Sequence, residues 1–228
     1  MVDHRLQWNT LDAYTGEELP SLIAKGADAN PTEIKAKVLL AQADSLIKLG
    51  EFAQAEMLLL DVDVSECSNQ LKAYYHWILT QWEWTQGNLL AALAAVNTAC
   101  EHYFRVGDDV AAWQTLYQLA YQLSQASLFD MAIEVALKAM QIVLDKPHFA
   151  REEKVTCYLL GYLYYVTGKI TSAKQYFEQA AQGEKASGDL RVRALLGEAS
   201  CALIAEDWTR ALALAEGALQ ISSLRTMN

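Results

Sequence analysis

Five times along this chain a tight-turn signal is followed, five residues on, by alanine. The five are Gly50-Glu51-Phe52 to Ala55, Gly87-Asn88-Leu89 to Ala92, Ser127-Leu128-Phe129 to Ala132, Gly168-Lys169-Ile170 to Ala173 and Glu206-Asp207-Trp208 to Ala211. Successive turns lie 37, 40, 41 and 38 residues apart, the period at which one supersecondary unit stacks on the next. Seven residues beyond each alanine stand Val62, Ala99, Ala139, Ala180 and Ala218. With 35 alanines in 228 residues, nine alanines in these ten positions mark a repeat rather than a composition bias. A repeat of this length predicts a solenoid, which grows by adding units rather than by enlarging one core, and so a single domain.

Between the turns, apolar residues recur at helical spacing, as in Leu116, Leu119, Ala120 and Leu123, and no stretch alternates with period two. Each unit therefore has one helix before the turn and one after it. Ten helices are expected, over 32–49, 53–61, 69–86, 89–104, 109–126, 129–145, 150–167, 171–186, 190–205 and 208–222. Asn30-Pro31-Thr32-Glu33 supplies an N-cap, a first-position proline and a first-turn acid, while Gly107-Asp108 and Gly188-Asp189 are expected to close one helix and cap the next. The alanines let two antiparallel helices approach at their crossing point, where only a small side chain fits. Phe52, Leu89, Phe129, Ile170 and Trp208 are placed to plug the open ends of the hairpins.

This pattern resembles the tetratricopeptide repeat family. The fullest match is Leu160-Gly161-x-x-Tyr164, then Gly168-Lys169-Ile170-x-x-Ala173, then Phe177 and Ala180, and the likeness spans about residues 32–222. The chain departs from the family in lacking its unit-ending proline, in placing Thr80 where the first helix has a small residue, and in running longer than 34 residues per unit. Longer units with Gly-Asp junctions are similar to the subtype found in bacterial regulators and sensors. The resemblance implies an all-α fold, a right-handed superhelical solenoid of about five hairpins over residues 31–228. Residues 1–30 match no unit and are expected to cap the first hairpin.

In such a solenoid the first helices line the concave face. Counting back ten residues from each turn gives Leu40, Trp77, Tyr117, Tyr158 and Leu196; six back gives Asp44, Gln81, Tyr121, Tyr162 and Ser200; three back gives Ile47, Trp84, Ser124, Tyr165 and Leu203. The expected peptide- or ligand-binding groove is therefore lined by Trp77, Gln81, Trp84, Tyr117, Tyr121, Tyr158, Tyr162 and Tyr165. Trp and Tyr offer wide contact area with a polar tip at low rotamer cost. The same residues could instead pack between helices. The family's best-known peptide-binding form holds a C-terminal carboxylate with lysine and asparagine, and those places are apolar, aromatic or glutamine here apart from Asp44 and Ser200. A peptide gripped by apolar and aromatic contacts fits better.

Other functions find little footing. His4, His76, His102 and His148 are scattered, and no zinc-protease, nucleophile-elbow or phosphate-loop motif occurs. Carboxylate pairs such as Asp108-Asp109 and Glu152-Glu153 stand at helix starts, where the macrodipole explains them. Asp61-x-Asp63 lacks the further oxygens a cation needs. No enzyme activity, metal or cofactor is expected. Residues 1–150 carry 9 Lys and Arg against 19 Asp and Glu, whereas residues 151–228 carry 9 of each; the acidic segment disfavours nucleic acid as a partner. The longest apolar run, Leu89 to Val96, is far short of the roughly 20 residues that span a bilayer. The start lacks a signal-peptide core, so a cytoplasmic location is expected. Cys67, Cys100, Cys157 and Cys201 form no C-x-x-C pair and read as reduced core thiols. The last helix, Ala211-Leu212-Ala213-Leu214-Ala215-Glu216-Gly217-Ala218-Leu219, is apolar nearly all round and needs a cover, either a second copy of the chain or a downstream domain. The leading expectation is a non-enzymatic scaffold that binds a peptide or protein segment. The alternative is the sensor segment of a longer signalling or transcription-regulating protein, taking a small effector and controlling an output domain.

Overall fold

The five turn signals share one backbone device. Gly50, Gly87, Ser127, Gly168 and Glu206 all take a left-handed conformation, with φ of 80°, 75°, 61°, 75° and 57°. The next residue's N–H returns to a carbonyl five positions back, as in Glu51 to Leu46, Asn88 to Glu83, Leu128 to Leu123, Lys169 to Tyr164 and Asp207 to Ala202. This closes the first helix of each unit and turns the chain into the second. Glycine enters that region freely, whereas Ser127 and Glu206 pay a steric cost for it.

The computed structural model describes residues 30–183 and 188–226. The described residues form ten α-helices and no strand: α1 (Pro31–Leu49), α2 (Phe52–Leu60), α3 (Asn69–Thr85), α4 (Leu89–Arg105), α5 (Asp109–Gln125), α6 (Phe129–Val143), α7 (Ala150–Val166), α8 (Ile170–Ala181), α9 (Gly188–Ile204) and α10 (Trp208–Thr226). The all-α hairpin array expected from the repeat is present, with a 3-10 turn at Pro147–Phe149 that the repeat did not announce. That turn follows from α6 stopping at Val143: Leu144 is extended, Asp145 is left-handed at φ 59°, and Pro147 starts a new turn. The second departure is at α8, which ends at Ala181 rather than 186, with Gln182 extended and Gly183 at φ 84°. Gly188-Asp189 accordingly opens α9 without closing α8. The expected N-terminal cap over 1–30 lies, Asn30 apart, outside the described residues.

Helix starts follow their sequence signals. Asn30, Ser68 and Asp108 cap α1, α3 and α5 by accepting from Thr32, Leu71 and Ala111 N–H groups at 3.1, 3.4 and 3.0 Å. The alanines do the packing expected of them. Ala55, Ala92, Ala132 and Ala173 are fully buried and Ala211 nearly so, as are Ala99, Ala139, Ala180 and Ala218. Val62 falls beyond the end of α2 and is only half-buried.

The contacts among the described residues gather into two compact units, divided between His102 and Tyr103. In the first, Ala36, Leu40 and Ala43 of α1, Leu59 of α2 and Leu71 and Ile78 of α3 form the core, with Trp77 and Trp82 packed on it half-buried. His76 of α3 stacks on His102 of α4 at 5.8 Å, and His102 Nδ1–H donates to Asn69 Oδ1 at 2.9 Å. Burial, with the neighbouring His102, holds the His76 imidazole below its usual pKa.

In the second unit α5 packs on α6, α7 on α6 and α8, and α9 on α8 and α10. Trp113 of α5 is buried and donates its indole N–H to Thr156 Oγ1 of α7 at 2.9 Å. Phe177 of α8 is held between α7 and α9. A Cβ added at Gly161 would stand 2.7 Å from its ring, and one at Gly197 would stand 2.6 Å away, so both glycines make room for that ring. The last hairpin is clipped by charge instead: Arg210 of α10 donates to Glu198 of α9, buried at 4% exposure, and to Glu178 of α8 at 2.7 Å. All four cysteines are buried free thiols.

Candidate functional site

The eight residues expected to line a groove fall in both units. Trp77, Gln81 and Trp84 lie half-buried on α3 in the first unit, and the five tyrosines lie on α5 and α7 in the second. Within the second unit, the row ten residues before each turn grows steadily more open. Tyr117 on α5 is 4% exposed, Tyr158 on α7 is half-buried, and Leu196 on α9 is 48% exposed. Within this unit each first helix shields the one before it, and among the described residues no further first helix follows α9. Tyr117 is thus a buried residue, stacked at 5.3 Å on Trp113.

The other tyrosines divide between core and surface. Tyr158 leans on Phe177 at 5.9 Å, and Tyr165 packs against the Ala173–Phe177–Cys201 cluster. Tyr121 is half-buried and Tyr162 is 39% exposed, so these two offer the more open faces. Tyr117 lies within electrostatic reach of Tyr121 and Tyr158, and each of those two within reach of Tyr162. Burial raises the pKa of the first three above the ordinary phenol value, which keeps them protonated hydrogen-bond donors at neutral pH.

Two features of this face were missed from sequence. Arg193, half-buried on α9, acts electrostatically on both Tyr117 and Tyr158 and pairs with Asp189 at 2.7 Å. It stands three residues before Leu196, one helical turn from the counted row, which was the available signal. The second is that the Tyr117 hydroxyl is buried with no hydrogen-bond partner among the described residues. A buried donor in that state costs about 1–3 kcal/mol.

Where α6, α7 and α8 meet, a cavity of about 270 Å³ is lined by Met140, Leu144, Glu153, Cys157, Gln175, Tyr176 and Gln179. Burial pushes the Cys157 thiol up to about 12 and the Cys201 thiol to about 11, which leaves both poor nucleophiles. Among the described residues no three His, Cys, Asp or Glu side chains gather as a metal site, and no helix is long and apolar enough to cross a membrane.

No family model and no curated protein matches the chain. Solved structures do match. BtubC (BKLC) from P. vanneervenii is 18% identical, with 92% of this chain and 87% of that one aligned at a TM-score of 0.65. The apo form of RapI is 14% identical, covering 90% of this chain and 58% of its own, at 0.72. Aspartyl phosphate phosphatase F from Bacillus subtilis is 13% identical, covering 92% and 61%, at 0.58. The chain therefore spans little more than half the length of the last two. At these identities the likeness is one of fold, and that fold is the tetratricopeptide-like helical repeat.

Proposed function

We propose that this chain is a non-enzymatic, cytoplasmic interaction module that takes a peptide or protein segment on the aromatic face of its first helices. The observation that carries the reading is the tyrosine cluster of α5 and α7, half-open at Tyr121, Tyr158 and Tyr162, with rigid rings on facing helices. Such residues form interface hot spots because they bury much area for few frozen rotamers. Trp77, Gln81 and Trp84 on α3 offer similar chemistry within the first unit. Selection from a phage-displayed library of random dodecapeptides should enrich binders that lose at least tenfold in affinity on Tyr162→Ala or Tyr121→Ala. No enrichment, or binding indifferent to both changes, rules the reading out.

The cavity beside Cys157 favours a second reading, in which a small effector seats there and the chain is the sensor segment of a longer protein. Its mark would be a ligand-dependent rise in Tm abolished by Gln179→Leu.

A further inference from the structure

We infer that the cavity where α6, α7 and α8 meet binds a small monoamine as its ammonium ion, the apolar body of the ligand on Met140 and its charged head against Glu153, Gln175 and Gln179. The inference rests on the effector reading given above and adds the chemical class of the effector. Its ground is the way three helices line one space. Met140 and, just past the helix end, Leu144 come from α6, Glu153 and Cys157 from α7, and Gln175, Tyr176 and Gln179 from α8. Each helix contributes a pair four residues apart, the spacing that puts two side chains on one face. A cavity of about 150 Å³ takes benzene, so one of about 270 Å³ holds a ligand of roughly ten non-hydrogen atoms.

The lining is graded in depth. Met140 and Cys157 are buried, Glu153 and Tyr176 are half-buried, and Leu144, Gln175 and Gln179 are exposed. A ligand meets an apolar floor, then a carboxylate and a phenol, then a rim of amides, an order that suits a molecule apolar at one end and polar at the other. The sign of its charge follows from the same residues: among the described residues that line the cavity, one is an anion and none is a cation. Glu153 pairs with its chain neighbour Lys154 at 3.6 Å, longer than a charge-assisted hydrogen bond of about 2.7–2.9 Å, so the carboxylate keeps acceptor positions for a ligand. Gln179 Oε1 accepts from the Cys157 thiol at 3.5 Å, which orients that amide and leaves the oxygen a second lone pair. Stacking on Tyr164 at 5.5 Å fixes the Tyr176 ring. A primary ammonium has three donors, and one carboxylate with two amide oxygens answers them. An anionic ligand would instead face Glu153 with no cation in the lining to hold it.

The test compares phenethylamine and n-hexylamine with the neutral 2-phenylethanol and n-hexanol and with the anions hydrocinnamate and heptanoate. Kd is read by ligand-observed NMR titration of the whole chain at neutral pH. At least one amine should bind at least tenfold more tightly than its alcohol, and both anions should bind more weakly than either. Glu153→Gln should bring the ratio of amine to alcohol below threefold. Glu152 keeps an acid in the first turn of α7, so the Tm of that variant without ligand should hold. Lys154→Gln removes the competing cation and should tighten amine binding, a gain that misfolding cannot imitate. Equal binding of amine and alcohol, lost in Gln179→Leu, overturns this inference and leaves the effector reading standing. An amine preference untouched by Glu153→Gln overturns it as well. Failure of all six compounds to bind overturns both.

Discussion

The hairpin α7–α8 and the hairpin α9–α10 share one sequence plan and meet different fates. Both have the left-handed turn residue, the following alanine and a second small residue seven further on. In the first, Ile170 packs on the core and Phe177 fills the space between Gly161 and Gly197. In the second, Trp208, in the place of Ile170, is 66% exposed, and Leu212 and Leu219 are 62% and 69% exposed. The repeat signal builds a hairpin, and whatever stacks against it decides which of its residues are core. The same holds at the first hairpin, where Phe52, the plug of that unit, is 37% exposed.

The largest test of this contrast is to truncate the ring in each hairpin. Phe177→Ala should cost about 3–5 kcal/mol in chemical denaturation, while Trp208→Ala should stay within about 0.5 kcal/mol. Comparable losses would mean that Trp208 has a partner in solution. Next is the clip that holds the last hairpin. Arg210→Met strands the buried Glu198 carboxylate and should cost about 1.5–3 kcal/mol, read as a lowered denaturation midpoint with an unchanged slope.

Two glycines on neighbouring helices should then respond with opposite signs. Gly197→Ala pushes a methyl to within 2.6 Å of the Phe177 ring and should destabilise by about 1–3 kcal/mol. Gly217→Ala meets only Leu195 Cδ1 at 4.0 Å and should stabilise α10 by about 0.5–1 kcal/mol. The smallest effect is at the turns: Ser127→Gly and Glu206→Gly each relieve a left-handed non-glycine and should raise stability by about 0.5–1 kcal/mol, with equal gains because the turn is local. A gain at one turn and a loss at the other would show that stacking reaches into the turn itself.

Legibility from sequence followed the range of the forces involved. Turns, helix starts and the buried alanines were read to within a residue or two because an αL residue, an N-cap and a helix crossing each involve a few chain neighbours. The site was read less well. Counting back from the turns put Tyr117, Tyr158 and Tyr165 on one face, yet depth on that face depends on the helix that arrives some 40 residues later. Tyr117 is consequently core, and Arg193, one helical turn before the counted Leu196, was passed over. Gly197 did carry a signal: a lone glycine within a helix costs about 1 kcal/mol and calls for a packing reason.

What the sequence determined by itself, then, was the unit: a helix, a left-handed turn, an alanine at the crossing and a second helix, all set by contacts within one period. Only the tertiary structure decided which faces are buried, that Phe177 needs glycines on both neighbours, and that the Tyr117 hydroxyl is buried without a hydrogen-bond partner among the described residues. Those depend on stacking between units, where burial and pairing are properties of two surfaces and no single stretch of chain encodes both.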